Sequence, residues 1–275
     1  MNTNEQSVLI FLLKRGFFML TLERQEEILE ILNKNKSVTV EELASELFVS
    51  SATIRRDLRV MEKQGLIKRS HGGAMPFRST AEESAFAIRE QANIQAKKSI
   101  ANLAVKLIKN GDSVFLDSSS TVGLVIPMLN NFNFLSVTTT GLRNALLLSQ
   151  TNNVTIYIAG GQIQNHSNSI IGTDTMDYIA RIHADISLIS CTGIDLNGCT
   201  DASIEQAKLK QQMRKNSTKV AMLCDSTKFG KTFLCKDFNF DSIDYLITEK
   251  TPPIEFVEKI ANTKCVIITP ENTNF

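Results

Sequence analysis

The chain has 275 residues, 43% of them hydrophobic and 21% charged, with a formal net charge of +1. That length suits one large domain or a small one joined to a medium one, and the composition is that of a packed globular protein. Near-neutral overall charge points to no nucleic-acid or membrane partner, so any such partner must be read from local charge.

In chain order, residues 8–20 (VLIFLLKRGFFML) are apolar but broken by Lys14 and Arg15, too short and divided to span a bilayer. No basic stretch precedes them and no small-residue cleavage site follows, as a signal peptide would require. Residues 1–20 read as an N-terminal extension, either an extra turn of helix or a ragged end. Met19 is an alternative native start.

Leu22, Ile28, Leu29, Ile31 and Leu32 predict a helix opened by Thr21, which KNKSVTV breaks. Glu41 to Leu47 predicts a short helix with Leu43, Ala44 and Leu47 inward. FVS is a turn, and Ser50 is a natural N-cap for a third helix that Gly65 ends. LIKRS alternates like a strand and meets the tight-turn signal Gly72-Gly73. On the third helix Ile54, Leu58 and Met61 form one apolar stripe, while Ala52, Arg55, Arg56, Arg59 and Lys63 lie on the opposite side. Thr21 to Ser50 carries seven acidic and three basic residues; Ser51 to Met75 carries six basic and two acidic. The module is dipolar, and its positive end suits the major groove of duplex DNA, with Lys68, Arg69 and the Gly-Gly tip as a wing along the backbone. Any single arginine here reads more readily as a solvated side chain; the coincidence of three helices, an outward basic face and a β wing favours DNA.

Residues 21–76 are thus expected to form one domain, 77–93 a linker running into a helix, and 94–275 a second domain. In the last, β-rich runs recur at SVFLD (113–117), FLSVTT (134–139), VTIYIAG (154–160), ISLISC (186–191), KVAMLC (219–224), DYLIT (244–248) and CVIIT (265–269). Helix-like segments at Ile94–Lys109, Thr121–Leu129, Leu142–Leu148, Ile204–Arg214 and Ile254–Ile260 separate most of them. The alternation predicts a doubly wound, mostly parallel α/β fold. Polar strand ends follow: Asp117, Ser118, Ser119, Ser120 and Thr121; Thr139 and Thr140; Gly160 and Gly161; Gly193, Asp195 and Thr200. Each alone is ordinary turn chemistry. Together they fit a phosphorylated sugar or polyol held beyond the carboxyl ends of the strands, with Lys210 for the phosphate and Lys97 and Arg89 as second choices. The five cysteines (Cys191, Cys199, Cys224, Cys235, Cys265) show neither C-x-x-C nor metal spacing with the three histidines. They read as reduced thiols of a cytosolic protein, and no cofactor or metal is expected.

The stretch LTLERQEEILEILNKNKSVTVEELASELFVSSATIRRDLRVMEKQGLIKRSHGGA resembles the winged helix-turn-helix of the DeoR family of bacterial transcription regulators, with ERQ, TIRRDL, MEKQG and HGGA in order. The family's usual Met-Leu before ERQ favours Met19 as the start. The resemblance implies that Thr53, Arg55 and Arg56 sit at the DNA, that Ser51 and Ala52 set part of the sequence preference, and that His71 is a wing residue. It continues through Asp117–Thr121, Thr139–Leu142, Gly160-Gly161, Gly193–Asp195 with Gly198 and Thr200, Lys210 and DSTKFG (225–230), covering roughly residues 19–250. It implies a second domain similar to sugar-phosphate isomerases and CoA transferases that binds phosphorylated sugars and usually represses sugar-catabolism operons. Ser119 stands where the family often has Gly and Thr140 where it often has Asn, which suggests an altered pocket.

The expectation is a cytoplasmic transcriptional repressor, without a membrane partner, acting on operator DNA as a homodimer or homotetramer. The alternative is a sugar-phosphate isomerase with a DNA-binding arm, using Asp117 or Asp195 as base and Glu205 as nucleophile. No His or Glu sits in a convincing loop motif, and binding without turnover is preferred.

Overall fold

The computed structural model describes residues 21–35, 37–63, 66–70, 72–76, 86–165 and 167–272. The extension 1–20, Gly65 and His71 lie outside them, as does the side chain of Lys63. The chain divides into two compact units, Met1–Arg78 and Ser79–Phe275. Among the described residues no helix is long and apolar enough to cross a membrane.

In the first unit, helix α1 (Thr21–Lys34) is followed by a two-residue strand β1 (Val38–Thr39), α2 (Val40–Glu46) and α3 (Ser51–Lys63), then β2 (Ile67–Ser70) and β3 (Gly73–Pro76). Thr39 and Glu42 form a capping box that starts α2. Ser50 Oγ accepts the Thr53 amide at 3.1 Å and caps α3. Phe48, in the turn between α2 and α3, adopts a left-handed φ of 54° and is exposed. Ile28, Leu32, Leu43, Leu47, Ile54, Leu58 and Met61 make the core. The strands pair antiparallel in the order β1-β3-β2, giving a three-helix head with a wing. Gly73 must be glycine, because a Cβ there would stand 2.4 Å from the Val38 carbonyl oxygen.

The second unit opens with α4 (Phe86–Gln91) and α5 (Ile94–Ala104). Residues 86–91, assigned above to the linker, are therefore a helix of this unit, with Phe86 buried. A seven-stranded, wholly parallel sheet follows: β4 (Ser113–Leu116), β5 (Leu135–Thr139), β6 (Val154–Ile158), β9 (Ala184–Ile189), β12 (Ser217–Leu223), β14 (Tyr245–Ile247) and β15 (Val266–Ile268), in the order β15-β14-β12-β9-β4-β5-β6. Between these run α6 (Ser120–Gly123), α7 (Leu142–Leu148), the hairpin β7 (Gln162–Gln164) and β8 (Ser169–Ile171), α8 (Thr173–Ala180), α9 (Ile204–Lys215) and α10 (Ile254–Ala261). The antiparallel meander β10 (Gly193–Asp195), β11 (Gly198–Asp201) and β13 (Cys235–Phe238) stands apart from the main sheet. Gly193, Asp195 and Thr200, listed above among the polar strand ends, belong to the β10–β11 hairpin.

Period-two alternation sends strand residues to two cores. Val114, Leu116, Val137, Leu188 and Ala221 pack with Ile100 and Leu103 of α5 and Leu148 of α7 on one face. Phe115, Ile189, Val220, Met222 and Leu246 pack with Ile179 of α8, Leu209 and Met213 of α9 and Phe256 of α10 on the other. The sheet is doubly wound, as expected. From β4 the chain winds outward through β5 and β6, then returns to place β9 on the other flank of β4 and winds outward again. The topological switch point lies between β4 and β9, where such sheets bind ligands.

Candidate functional site

In the head, α3 presents two faces. Ile54, Leu58 and Met61 are fully buried, and so is Asp57. Asp57 does not pair locally: Arg24 of α1 donates to it from Nε at 2.5 Å and from Nη2 at 3.2 Å. The outer face carries Ala52, Arg55, Arg56 and Arg59, all exposed, with Ser51 and Thr53 half-buried at the start. Thr53 Oγ1 lies 2.9 Å from the Ser50 hydroxyl, so its side chain is engaged in the cap. Arg55 Nη2 meets Glu41 Oε1 at 3.2 Å, and Arg69 Nη1 meets Glu62 Oε2 at 3.6 Å. Among the described residues no carboxylate pairs with Arg56, Arg59 or Lys68. Lys68, Arg69 and Gly72 (φ 88°) are exposed on the wing.

In the larger unit, Asp117 follows β4 at the switch point. Its Oδ2 accepts the Ser190 amide at the end of β9 (2.8 Å) and its Oδ1 the Ser119 amide (2.8 Å). Its carbonyl oxygen accepts from Asn144 Nδ2 at 2.7 Å. One carboxylate thus ties together the ends of β4 and β9 and the first turn of α6. Lys210 of α9, 5% exposed, donates to Asp201 and stands 3.9 Å from Asp117 Oδ2. Asp201 also accepts from the Thr192 amide (2.9 Å) and hydroxyl (2.6 Å). Burial alone would raise the Asp201 carboxyl, but Lys210 and these hydrogen bonds hold it below its usual range.

Asp117, Ser118, Thr140 and Lys210 line a cavity of about 10 Å³ with Ser169, Gln206, Leu209 and Met213. The Ser169 hydroxyl is buried there without a hydrogen-bond partner among the described residues. Beside this wall lies a second basic cluster. Lys97 Nζ donates to Ser120 Oγ (3.1 Å) and to the Arg89 carbonyl, and Lys228 Nζ donates to Ser190 Oγ (2.9 Å) and the Cys191 carbonyl (2.6 Å). Burial first, then the neighbouring Lys228 ammonium, brings Lys97 down to about 8 against the pull of Asp225.

The remaining residues named from the sequence fall as follows. Thr121, Thr139 and Thr140 are buried. Thr139 Oγ1 accepts the Gly141 amide at 3.1 Å. Ser119, the departure from glycine, caps α6 through the Val122 amide (3.3 Å). Gly160, Gly161, Gly193 and Asp195 do not line the cavity. Gly161 (φ 150°) is required by packing, since a Cβ would meet Thr175 Oγ1 at 2.1 Å, and Gly193 lies against the Lys231 carbonyl. Asp195 closes its own hairpin, accepting from the Asn197 amide and the Thr232 hydroxyl. Glu205 is exposed and accepts from Ser203. Asp201, Ser190, Lys228 and Ser169 were not named as site residues. Lys228 lies inside DSTKFG, a stretch singled out above, and Asp201 directly follows Thr200; an acidic residue beside a polar strand end was the only local signal for it. Among the described residues no group of His, Cys, Asp and Glu could hold a metal ion.

A family model described as the DeoR-like helix-turn-helix domain matches residues 24–80, and one described as the DeoR C terminal sensor domain matches residues 92–250. The chain is 36% identical over 232 residues to the HTH-type transcriptional regulator GolR of Listeria innocua, covering 84% of this chain and 91% of that one. The chain belongs to the DeoR family. Other DeoR-type relatives include the repressor GlcR of Bacillus subtilis (30% identical, 90% of this chain and 96% of that one) and the glycerol-3-phosphate regulon repressor of Escherichia coli (29%, 87% and 95%). These relatives are transcriptional regulators and repressors, and this DeoR chain is a DNA-binding regulator, not an enzyme. Similar solved structures include ribose 5-phosphate isomerase from Plasmodium falciparum (TM-score 0.36, 16% identity, 50% of this chain and 52% of that one) and translation initiation factor eIF-2B from Pyrococcus horikoshii (0.42, 15%, 88% and 94%). At these scores neither says what the DeoR sensor does.

Proposed function

We propose that the chain represses a sugar transport or catabolism operon in the cytoplasm and leaves its operator when a phosphorylated sugar or polyol binds at the switch point of the sensor. The observation that carries this is the cavity lined by Asp117 and Thr140 at the ends of β4 and β5 and by Lys210 of α9, where the buried Ser169 hydroxyl has no hydrogen-bond partner among the described residues. A hydroxyl with no partner suits a polyol oxygen, and a buried ammonium suits a phosphate. The relatives named for glycerol 3-phosphate and the repressor GlcR favour the same ligand class. On the head, Arg56 reads base edges with Thr53 and Arg55 beside it, Ser51 and Ala52 tune the preference, and Arg59, Lys63, Lys68, Arg69, His71 and Gly72 follow the backbone. Two heads on adjacent half-sites call for a homodimer or homotetramer.

A cavity of about 10 Å³ holds one water, not a sugar phosphate. The effector therefore binds a conformation in which α9 or the β7–β8 hairpin has moved. That requirement supplies the differential affinity on which induction depends.

Lys210→Ala is a poor test, because it would strand Asp117 and Asp201 as buried charges. Ser169→Ala is cleaner, since its hydroxyl makes no hydrogen bond among the described residues. Phosphorylated sugars and polyols are screened by thermal shift and by release of the operator in a gel shift. The wild type responds to one of them, and Ser169→Ala retains operator binding but needs about tenfold more of it, the loss of one hydrogen bond worth about 1.4 kcal/mol. If no phosphorylated compound both stabilises the chain and releases DNA, the reading fails. An equal response in the variant removes Ser169 from the site.

A further inference from the structure

Asp237 has no role in what precedes, yet it is the most conspicuous buried acid in the sensor. It sits in β13 where the pairing with β11 slips: Cys199 faces Phe238 and Thr200 faces Lys236, leaving residue 237 as the extra residue of a β-bulge. Bulges re-aim side chains. This one puts a carboxyl that is 6% exposed against Asp201, and neither of its oxygens accepts a hydrogen bond from any described N–H or O–H. Its backbone carbonyl is served separately by Gln211 Nε2 at 3.0 Å. An ionised carboxylate in that position would lose its hydration, gain no donor and face a second negative charge. Asp201 is in the opposite situation, with the Thr192 amide and hydroxyl and the Lys210 ammonium all donating to it.

We propose that Asp237 is a positioning residue of the sensor site: a neutral carboxylic acid whose O–H donates to Asp201 and so fixes the carboxylate that holds Lys210. One proton satisfies both groups, since it gives Asp237 a partner and Asp201 a further donor. The groups facing Asp237 are Asp201 and Cys199 of β11, Lys210 of α9 and Cys235 of its own strand. Burial, then the hydrogen bond to Asp201 and its charge, push Asp237 up to about 10, with Lys210 pulling the other way. The acid also spares Lys210 one more negative neighbour in a place where a phosphate would bring up to about two charges. The effector part of this inference rests on Lys210 being the phosphate lysine; the proton assignment does not.

The test uses the full chain without ligand. Asp237→Asn keeps size, neutrality and a donor; Asp237→Leu removes the donor. In the infrared spectrum at neutral pH the wild type shows a protonated-carboxyl carbonyl stretch that Asp237→Asn lacks. In urea titrations the folded state keeps a proton that the unfolded chain releases. The stabilising proton is fully in place below the unfolded Asp value of about 3.9 and is lost as pH rises toward the folded value. Between those limits the wild-type folding constant therefore falls by up to about tenfold per pH unit relative to Asp237→Asn. The Lys210 ammonium resonance, assigned by its loss in Lys210→Arg, persists in Asp237→Asn and shifts or broadens in Asp237→Leu. An unchanged carbonyl band and a parallel pH slope in Asp237→Asn overturn the proton assignment. An ammonium resonance indifferent to Asp237→Leu overturns the positioning role. None of these readouts needs an effector, so failure to find one sinks only the effector reading.

Discussion

The two units treat their cations in opposite ways. In the head one arginine, Arg24, is buried against Asp57, while the arginines of the outer face are exposed, either in loose pairs or without a carboxylate among the described residues. In the sensor, Lys97 and Lys210 are almost fully buried and already donate to protein oxygens. Exposed cations keep their hydration and rotamer freedom until a polyanion displaces counterions from itself, so they give binding that is strong, salt-dependent and easily reversed. Buried ones have lost hydration during folding and are held in place, which suits recognition of one small anion. The same residue types thus serve a reader in one unit and a sensor in the other because of burial.

The comparison breaks most sharply at Asp57. Asp57→Ala leaves the Arg24 guanidinium buried without that carboxylate, and loss of one partner from a buried pair costs about 3–5 kcal/mol. Urea unfolding should show the transition of the head moved to lower denaturant while that of the sensor stays in place. A head that keeps its wild-type midpoint would mean that Asp57 is dispensable to the core.

Arg56→Ala comes next. It removes no described contact, so folding should be untouched, and operator affinity should fall by about 1–3 kcal/mol if the guanidinium reads a base. Gel shifts on the operator and on scrambled sequence at one salt concentration check this. An equal loss on both would make Arg56 a phosphate contact. Lys68→Ala, on the wing, should weaken binding to all sequences alike and lower the slope of log affinity against log salt by about 1.

What was legible in the sequence follows from how local each cause is. Seven β-rich runs separated by helical periodicity located the strands of the parallel sheet to within two residues at each end, because β-branched runs and amphipathic stripes are local signals. The capped start of α3 at Ser50 was equally visible. Helix α4 was hidden by a polar stretch in which Phe86 is the main apolar anchor, and β10–β11 by glycines that look like a loop. The glycines at the strand ends are ambiguous for a related reason. At Gly161 and Gly193 neighbouring atoms leave no room for a Cβ, and a sequence cannot separate that requirement from a cradle for a ligand. Asp201 escaped because its meaning is non-local: only the fold brings it to Lys210 and Asp237.

The smallest effect tests whether exposure alone sets the worth of a charge pair. Arg55 and Glu41 are 3.2 Å apart with both side chains more than half exposed. Solvent screening and side-chain entropy reduce such a pair to about 0.2–1 kcal/mol. A double-mutant cycle with Arg55→Ala and Glu41→Ala should return a coupling in that range that fades in high salt. The consequence for DNA binding has a definite sign. If Arg55 lies at the duplex, Glu41→Ala frees it and removes a negative charge from the reading face, so operator affinity should rise, most clearly at low salt. A fall in affinity would mean that Glu41 orients Arg55 toward its target, and the pair would then belong to recognition rather than to the solvated surface.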